Sequence, residues 1–508
     1  MKLFSKHTAP ALGLLSLSLA SCQPDIDAPS VSAGSADFSS YIAVGNSLTA
    51  GFSDGGLYRE GQLNSYPNIL SQQFALVGGG NFAQPLFTEA QANGSGYLRL
   101  AGFTAATPTS PSAPITANVT TNVAVRGAVL TRSNPYPTNP QFIYNKDVSS
   151  INNLGVPNIR MSDILTTGFG NVAQTGGTNA APTATFNSYF ERLTADGSNE
   201  TYLERVQRTV ATLKPTFFTE WLGNNDVLGF ATAGAAANAI TPLATFTTNT
   251  GLVLDALVAG GAKGLVTTLP DVTTIPFFTT VGPSFRGTLA LNSVPSAAPF
   301  VYTTGILAPG QPNTRVSTTL ASIRDASGTG NLLLTLTASP YAGLYGRPTG
   351  KYWRDFYQQA RPSLPAAVPN LTVFLLAMQV DTTQAFGQST GNPFPSTLVL
   401  DGTEQTTIAT ATNAFNAALV AAANSRNLAV FDVNVFFKSV ANNGYVVNAV
   451  NNTTGYLSGN LFGLDGVHPT PRGYAIIANE MLKVINAKYG SSFQGVNATN
   501  YRGVVFPQ

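Results

Sequence analysis

The chain has 508 residues, and its 26 Lys and Arg nearly balance its 24 Asp and Glu. Charged residues make up only 10% of the sequence and form no basic cluster, which excludes the concentrated positive face that nucleic-acid binding requires. A chain of this length can bury one large core or two smaller ones, and 30 Phe and 18 Tyr are present to fill them.

The N-terminal segment predicts export. Lys2 and Lys6 precede an apolar run over residues 9–20, which ends in small residues before Cys22. A run of this length with a basic start is typical of a secretory signal peptide and is too short for a membrane span. Residues 1–21 are therefore predicted to be a signal peptide. No later apolar stretch approaches the length needed to cross a bilayer.

Cys22 and the residues after it predict a lipid anchor and a tether. Leu19-Ala20-Ser21-Cys22 resembles the lipobox of bacterial lipoproteins, in which the cysteine becomes the lipidated N-terminus after cleavage. The resemblance implies lipidation at Cys22 and localisation in the bacterial cell envelope, with the outer membrane as the expected membrane and either its periplasmic or its surface side. The alternative is a plain signal peptide with an incidental cysteine. Residues 22–37 contain mainly Pro, Asp, Ala, Ser and Gly, which predicts an extended tether.

Five short apolar runs predict the strands of a mostly parallel sheet. Segments of helical character separate them, and such alternation favours an α/β fold. The runs cover residues 40–44, 216–222, 264–269, 371–377 and 428–431.

Polar turns follow the first two of these runs. The first turn is Gly45-Asn46-Ser47-Leu48 and the second is Gly223-Asn224-Asn225-Asp226. Ligands of open α/β sheets bind at the carboxyl ends of the strands, which is where both turns are expected. A serine or asparagine in a turn is by itself more often a helix cap or a turn former. Either turn is therefore a candidate site only in combination with other groups.

Two helices have clear sequence signals. Asp401 and Glu404 have the spacing of a capping box and precede an apolar face with helical period. Thr470 is the predicted N-cap of a last helix that ends at Gly490. His468 therefore lies on the loop that enters this last helix, two residues before its cap.

His468 is the only histidine outside the predicted signal peptide, because the other is His7. Imidazole chemistry at neutral pH must therefore use this residue. A loop histidine more often satisfies a local hydrogen bond, but Asp465, three residues earlier, favours a functional role. No metal or cofactor is predicted, since one histidine without a cysteine cluster cannot supply an ordinary transition-metal site.

Taken together, the turns and the histidine segment resemble the motif blocks of the SGNH hydrolases, the GDSL-type lipase and esterase family. The Ser47 turn is similar to the nucleophile block, with Asn46 where the family's Asp is commonest. The Asn225 turn is similar to the Gly-x-Asn-Asp block, and Asp465-Gly466-Val467-His468 to the Asp-x-x-His block. The remaining block fits poorly. Its best counterpart is the segment 153–158, in which either Asn158 or Gly155 would take the place of the family's glycine.

The resemblance implies a fold and a domain organisation. The expected fold is a three-layer α/β/α sandwich, a flavodoxin-like SGNH fold with a mostly parallel central sheet and large loop insertions. The hydrolase domain would cover residues 38–490, with insertions near 85–150 and 280–350, and a C-terminal extension would cover residues 491–508.

The resemblance also implies catalytic roles that ester chemistry requires. Ser47 would be the nucleophile, His468 its base, and Asp465 the group that orients the imidazole. The backbone N–H of Ser47, the side-chain amide of Asn225 and the backbone N–H of Asn158 or Gly155 would form the oxyanion hole.

The expected function is hydrolysis of carboxylic esters through an acyl-enzyme, with a small-molecule, lipid or acylated-glycan substrate. The alternative is a non-catalytic surface lipoprotein that binds glycan or lipid on the same fold. A protein that only binds would have no chemical reason to keep Ser47, Asn225, Asp465 and His468 together.

Overall fold

The computed structural model describes residues 30–125, 150–172, 185–237, 239–361 and 364–507. The predicted signal peptide over residues 1–21 and the predicted lipidation at Cys22 lie outside the described residues, as do parts of the predicted tether and of the first insertion. No helix of the described residues is both long enough and apolar enough to cross a membrane.

The described residues contain short strands and many helices. The strands are β1 (Tyr41–Gly45), β2 (Tyr97–Phe103), β3 (Pro114–Val119), β4 (Asn153–Gly155), β5 (Phe217–Trp221), β6 (Lys263–Thr267), β7 (Pro299–Thr303), β8 (Arg315–Thr319), β9 (Leu333–Leu334), β10 (Val399–Leu400), β11 (Ala429–Phe431), β12 (Tyr445–Val447) and β13 (Val450–Asn452). The α-helices are α1 (Ser47–Ala50), α2 (Arg59–Leu63), α3 (Tyr66–Ala75), α4 (Ser188–Glu191), α5 (Tyr202–Leu213), α6 (Asn225–Thr232), α7 (Leu243–Val258), α8 (Pro276–Thr279), α9 (Val281–Leu291), α10 (Ser339–Ala342), α11 (Lys351–Ala360), α12 (Leu371–Ala377), α13 (Gly402–Asn424), α14 (Val433–Asn443) and α15 (Pro471–Tyr489).

The central sheet has five strands in the order β4-β1-β5-β6-β11, and all of them are parallel. Counted along the chain, this order is 2-1-3-4-5. On each side, β1 therefore pairs with a strand that comes later in the chain, and the connections from β1 to β4 and from β4 to β5 run in opposite directions across the sheet. Loops at the carboxyl end of β1 diverge at such a switch point and leave a crevice.

Four of the predicted apolar runs are confirmed as strands of this sheet. They correspond to β1, β5, β6 and β11. All residues of β1 and β5 are buried, because helices cover both faces of the sheet. Parallel strands buried on two faces are nearly continuous apolar runs, which is why the sequence located them.

The predicted strand over residues 371–377 is wrong, because this segment is helix α12. The side chain of Asn370 caps the helix by accepting a hydrogen bond from Val373 N over 3.0 Å. Phe374 is buried in the surrounding core, whereas Leu376 is 77% exposed. A short run of apolar residues has no period that separates a strand from a helix, so the cap was the informative signal.

The fifth strand, β4, was not among the predicted runs. It has only three residues, and asparagine side chains attach its start to the neighbouring chain. Asn152 Nδ2 donates to Tyr41 O over 2.8 Å, and Asn153 Nδ2 donates to Thr49 O over 2.9 Å. Polar side chains thus position a strand that apolar patterning could not reveal.

Both predicted helix starts are confirmed. Asp401 and Glu404 form a reciprocal capping box at the start of α13. Thr470 caps α15 by accepting from Gly473 N, and Gly490 ends that helix in the left-handed conformation. The apolar stripe of α15 packs into the main core.

The region between β6 and β11 contains a second hydrophobic core. Residues from α9, the β7–β8 hairpin, α11 and α12 form it, with Trp353, Phe300 and Phe374 fully buried. The predicted insertion near 280–350 contributes α9 and both hairpin strands. Its Pro- and Thr-rich composition concealed these elements.

Segments near both ends of the described chain pack on α15. Ser35 N donates to Tyr489 O over 2.7 Å, and Ala36 is buried. Phe493 and Ala498, in the segment predicted as a C-terminal extension, are buried in the main core. Residues next to the predicted domain limits therefore contribute to the same folded unit.

Candidate active site

Ser47 is the first residue of α1, directly after β1. Asn46 caps this short helix, because its Oδ1 accepts a hydrogen bond from Leu48 N over 3.0 Å. The serine is buried, but its hydroxyl is hydrogen-bonded to a side chain from the other end of the chain: Ser47 Oγ lies 2.9 Å from His468 Nε2. The structure thus brings together a serine and a histidine that are 421 residues apart.

Asp465 completes a chain of hydrogen bonds from Ser47 through His468. His468 Nδ1 lies 2.7 Å from Asp465 Oδ2, and the carboxylate is fully buried. Its other oxygen, Oδ1, accepts the backbone N–H groups of Val467 and His468, both over 2.8 Å. The tight turn from 465 to 468 therefore fixes the carboxylate and the imidazole relative to each other.

The electrostatics of this turn define the tautomer of the neutral imidazole. Burial raises the pKa of the Asp465 carboxyl, but the charge and the hydrogen bond of His468 and the backbone N–H donors bring the pKa below its ordinary value. Asp465 is therefore ionised at neutral pH and can only accept hydrogen bonds. His468 Nδ1 must then carry the proton, so Nε2 can accept one from Ser47 Oγ.

Backbone hydrogen bonds connect β1, β4 and β5 where the loops that follow these strands begin. Val156 N donates to Gly45 O over 2.9 Å, and Asn46 N donates to Trp221 O over 3.3 Å. These bonds continue the strand pairing beyond the strand ends. Ser47 consequently lies beside the loops that carry the other predicted site residues.

Asn225 and Asn158 lie on these neighbouring loops. The half-buried Asn225 side chain donates through Nδ2 to Ile159 O over 2.8 Å, so its amide is held against the loop of Asn158. Asn158 is exposed and has φ of 65°, a left-handed conformation that asparagine tolerates. Both residues thus border the same part of the carboxyl edge of the sheet.

Gly155 packs directly against α1. A Cβ atom at this position would lie 2.2 Å from Ala50 N, so only glycine permits the close approach of α1 to β4. The Gly155 N–H already donates to Asn153 Oδ1 over 2.9 Å. Its observed role is therefore one of packing.

Asp226 has a structural role that the sequence did not predict. Its carboxylate accepts the backbone N–H groups of Met161 and Ser162, over 2.7 and 3.4 Å, and so caps the 3-10 helix Met161–Asp163. Burial raises the pKa of Asp226 to about 6. The residue fixes the loop that contains Asn158 to the start of α6.

The sequence analysis also missed the turn of Asp54 and Gly55. Gly55 N donates to Asp465 Oδ2 over 2.8 Å, and Asp54 Oδ1 accepts from Leu464 N over 2.9 Å. The signal was present in Ser53-Asp54-Gly55-Gly56, a run of turn-forming residues soon after Ser47. This turn connects the loop after β1 to the loop that carries His468.

Glu220 is a further buried acid close to the site. It lies on β5, three residues before the start of the Asn225 turn, and its Oε1 accepts from Leu222 N over 2.9 Å. Its Oε2 has no hydrogen-bond partner among the described residues. Burial raises the pKa of Glu220 to about 8, so the group is mainly protonated at neutral pH.

Comparison with protein-family models, with curated proteins and with solved structures finds no match for this chain. Its functional assignment therefore depends on the geometry of the site and on the sequence motifs.

The two raised pKa values predict different pH windows for stability. Between its ordinary value of 4.5 and about 8, Glu220 keeps in the folded state a proton that the unfolded chain releases. The free energy of unfolding therefore falls as pH rises through this window, by up to about 1.4 kcal/mol per pH unit. For Asp226 the corresponding window runs from 3.8 to about 6.

Urea unfolding of Glu220→Gln and Asp226→Asn from pH 4.5 to 8.5 would measure these contributions. In Glu220→Gln, the free energy of unfolding should no longer fall between pH 6 and 8. In Asp226→Asn, it should fall less steeply than in wild type only below pH 6. Each variant serves as the control for the other. A wild-type slope between pH 6 and 8 in Glu220→Gln would contradict the assignment.

Proposed function

We propose that this protein is a serine hydrolase that cleaves carboxylic esters through a Ser-His-Asp triad. The observation that carries the proposal is the continuous contact from Ser47 Oγ to His468 Nε2, over 2.9 Å, and from His468 Nδ1 to Asp465 Oδ2, over 2.7 Å. A serine hydroxyl is too weakly acidic to attack an ester unaided, and this arrangement supplies the base that it needs.

In the proposed acylation step, Ser47 Oγ attacks the carbonyl carbon while His468 Nε2 takes the hydroxyl proton. The resulting imidazolium is stabilised by the ionised Asp465. When the tetrahedral intermediate collapses, the bond to the alcohol oxygen breaks, and His468 returns its proton to the leaving alkoxide. Water then repeats the sequence on the acyl-enzyme, releasing the acid and restoring Ser47.

The negative charge of the tetrahedral intermediate requires preorganised donors. Ser47 opens α1, so its backbone N–H has no acceptor within the helix. We assign the second donor to the Asn225 side chain and the third to the Asn158 backbone. Asn158 is preferred to Gly155, because the Asn225 side chain donates to Ile159 O and so holds the loop of Asn158 next to the second donor.

The fold supports the same assignment. The strand order 2-1-3-4-5, the helices on the sheet and the position of Ser47 after β1 agree with a three-layer flavodoxin-like sandwich of the SGNH hydrolase type. The proposed substrate is a small-molecule, lipid or acylated-glycan ester. The proposed location is the bacterial cell envelope, where Cys22 would carry the lipid anchor and the outer membrane is the expected membrane.

Replacement of Ser47 tests the nucleophile. Ser47→Ala is expected to lower kcat/KM for nitrophenyl esters by roughly a thousandfold or more, because among the described residues Ser47 supplies the only hydroxyl hydrogen-bonded to His468 Nε2. A panel of acyl lengths assayed beside acetylated sugars would define the substrate class. Ser71→Ala, on α3, is the matched control and should retain turnover. Wild-type turnover in Ser47→Ala would exclude the mechanism, and ligand binding without any turnover would favour a non-catalytic binding protein.

Replacements in the oxyanion hole separate a side-chain donor from a backbone donor. Asn225→Ala should reduce kcat by about a hundredfold, because one amide donor to the oxyanion is lost. Asn158→Gly keeps a backbone N–H and tolerates the positive φ, so it should reduce kcat only slightly. Steady-state kinetics on a short-chain ester measure both effects. The reverse order of the two effects would refute the proposed donor set.

The proposed anchor can be tested independently of catalysis. Cys22→Ser should move the protein from the membrane fraction to the soluble fraction after cell lysis, because the acyl chains provide the membrane affinity. Ester turnover per mole of protein should stay at the wild-type level. Retention of Cys22→Ser in the membrane fraction would contradict lipidation at this residue.

A further inference from the structure

Two buried carboxylates lie next to each other beside the triad. Asp54 is 3% exposed, and Asp465 is fully buried. Each accepts a backbone N–H from the segment of the other: Leu464 N donates to Asp54, and Gly55 N donates to Asp465. This reciprocal pair of hydrogen bonds, here called the carboxylate clamp, holds the turn after α1 against the catalytic loop.

The clamp carries an electrostatic cost. Burial and the negative charge of Asp465 both raise the pKa of Asp54, whereas Arg502 and Leu464 N–H lower it, and the net effect is a raised pKa. An uncompensated charge at this depth would be strongly unfavourable. The clamp therefore needs a nearby cation to keep Asp54 ionised.

Arg502, near the end of the chain, is placed to supply that cation. Its Nη2 lies 3.5 Å from Asp54 Oδ2 and donates to Tyr58 OH over 2.9 Å. Tyr58 OH in turn donates to Asp54 Oδ2 over 3.0 Å. The guanidinium also forms a bidentate pair with Glu60, over 2.6 and 2.9 Å. The Arg502 side chain is 25% exposed and lies between an exposed acid and a buried one.

Backbone contacts fix this arginine relative to the histidine. Arg472, in the first turn of α15, donates through its backbone N–H to Arg502 O over 2.9 Å. Its side-chain Nε donates to Tyr501 O over 3.1 Å. The segment of Tyr501 and Arg502 is thus attached to α15, which begins just after His468. Arg502 is therefore held both by α15 and by the segment that follows Ser47.

We propose that Arg502 is a positioning residue for the catalytic machinery, acting through Asp54 and the carboxylate clamp on Asp465 and His468. This inference rests on the proposed hydrolase function. The alternative is that Arg502 and Glu60 form an ordinary surface ion pair, which would contribute little to stability and nothing to catalysis. The charged and titratable groups that face the clamp are Arg502, Glu60, Tyr58, Tyr456, Tyr474 and His468.

A double-mutant cycle between Arg502 and Asp54 tests the inference. Arg502→Gln should reduce kcat/KM for a short-chain ester roughly tenfold, mainly through kcat, because no substrate contact is removed. Asp54→Asn in the same chain should restore most of the activity, because an amide needs no cation and its oxygen can still accept from Leu464 N. The single variant Arg502→Lys keeps a cation and should therefore lose less activity than Arg502→Gln.

The matched control is Arg208→Gln, which breaks another bidentate pair with a glutamate, on α5. It should leave kcat/KM unchanged. Wild-type kinetics in Arg502→Gln would overturn the inference. So would a loss that neither Asp54→Asn nor Arg502→Lys restores, since that pattern would indicate damage to the fold.

Imidazole NMR gives a readout that needs no turnover. The chain has two histidines, so a His468→Gln variant assigns the His468 signals. In Arg502→Gln, loss of the cation should change the chemical shift of the His468 Nδ1 proton, which is hydrogen-bonded to Asp465, and adding Asp54→Asn should reverse the change. If this pattern holds while no ester is cleaved, the proposed function fails and the positioning role stands. An unchanged His468 Nδ1 proton signal in Arg502→Gln overturns the positioning role.

Discussion

The geometry of the site depends on the burial of one carboxylate. Asp465 is fully removed from solvent, and a charge in that position persists only with several donors around it. The donors are the imidazole of His468 and the backbone N–H groups of Gly55, Val467 and His468. One of them belongs to the segment that follows Ser47. The hydrogen bonds that stabilise the charge therefore also align Ser47 with His468.

Residues of the region between β6 and β11 reach the same loop. Phe277 N, in α8, donates to Gly466 O over 2.9 Å, and Leu336 packs close to that glycine. Gly466 has φ of 68°, and a Cβ there would lie 2.9 Å from Phe277 N. Glycine thus permits both the turn and the close approach. Phe277 belongs to the main hydrophobic core, and Leu336 packs against both the main and the second core, while the main core also supports α15.

The sequence was sufficient where local patterns determine structure. Buried parallel strands are continuous apolar runs, so β1, β5, β6 and β11 could be located, and the caps at Asp401 and Thr470 placed α13 and α15. Local patterns failed for residues 371–377, where an apolar run fits either a strand or a helix. They also failed for β4, which asparagine side chains hold in place.

In the candidate site, too, the residues that lie in local motifs could be predicted, and those whose contacts arise from folding could not. Ser47, Asp465 and His468 could be proposed because each lies in a short motif, and the structure places them in hydrogen-bonding contact. Asp54 lies in a run of residues that indicates a turn but not what the turn contacts, and Arg502 lies in no motif. Their relation arises only when distant segments fold together, and a single sequence contains no signal for such a pair.

The separation of Ser47 and His468 has a consequence for the timing of folding. Their contact closes a loop of more than four hundred residues, and β1, which precedes Ser47, lies in the middle of the sheet with later strands on both sides. Contacts so distant in sequence are slow to form, because the entropy of loop closure must be overcome first. In a chain that is still being synthesised, the contact between Ser47 and His468 therefore forms only after the last helix has docked.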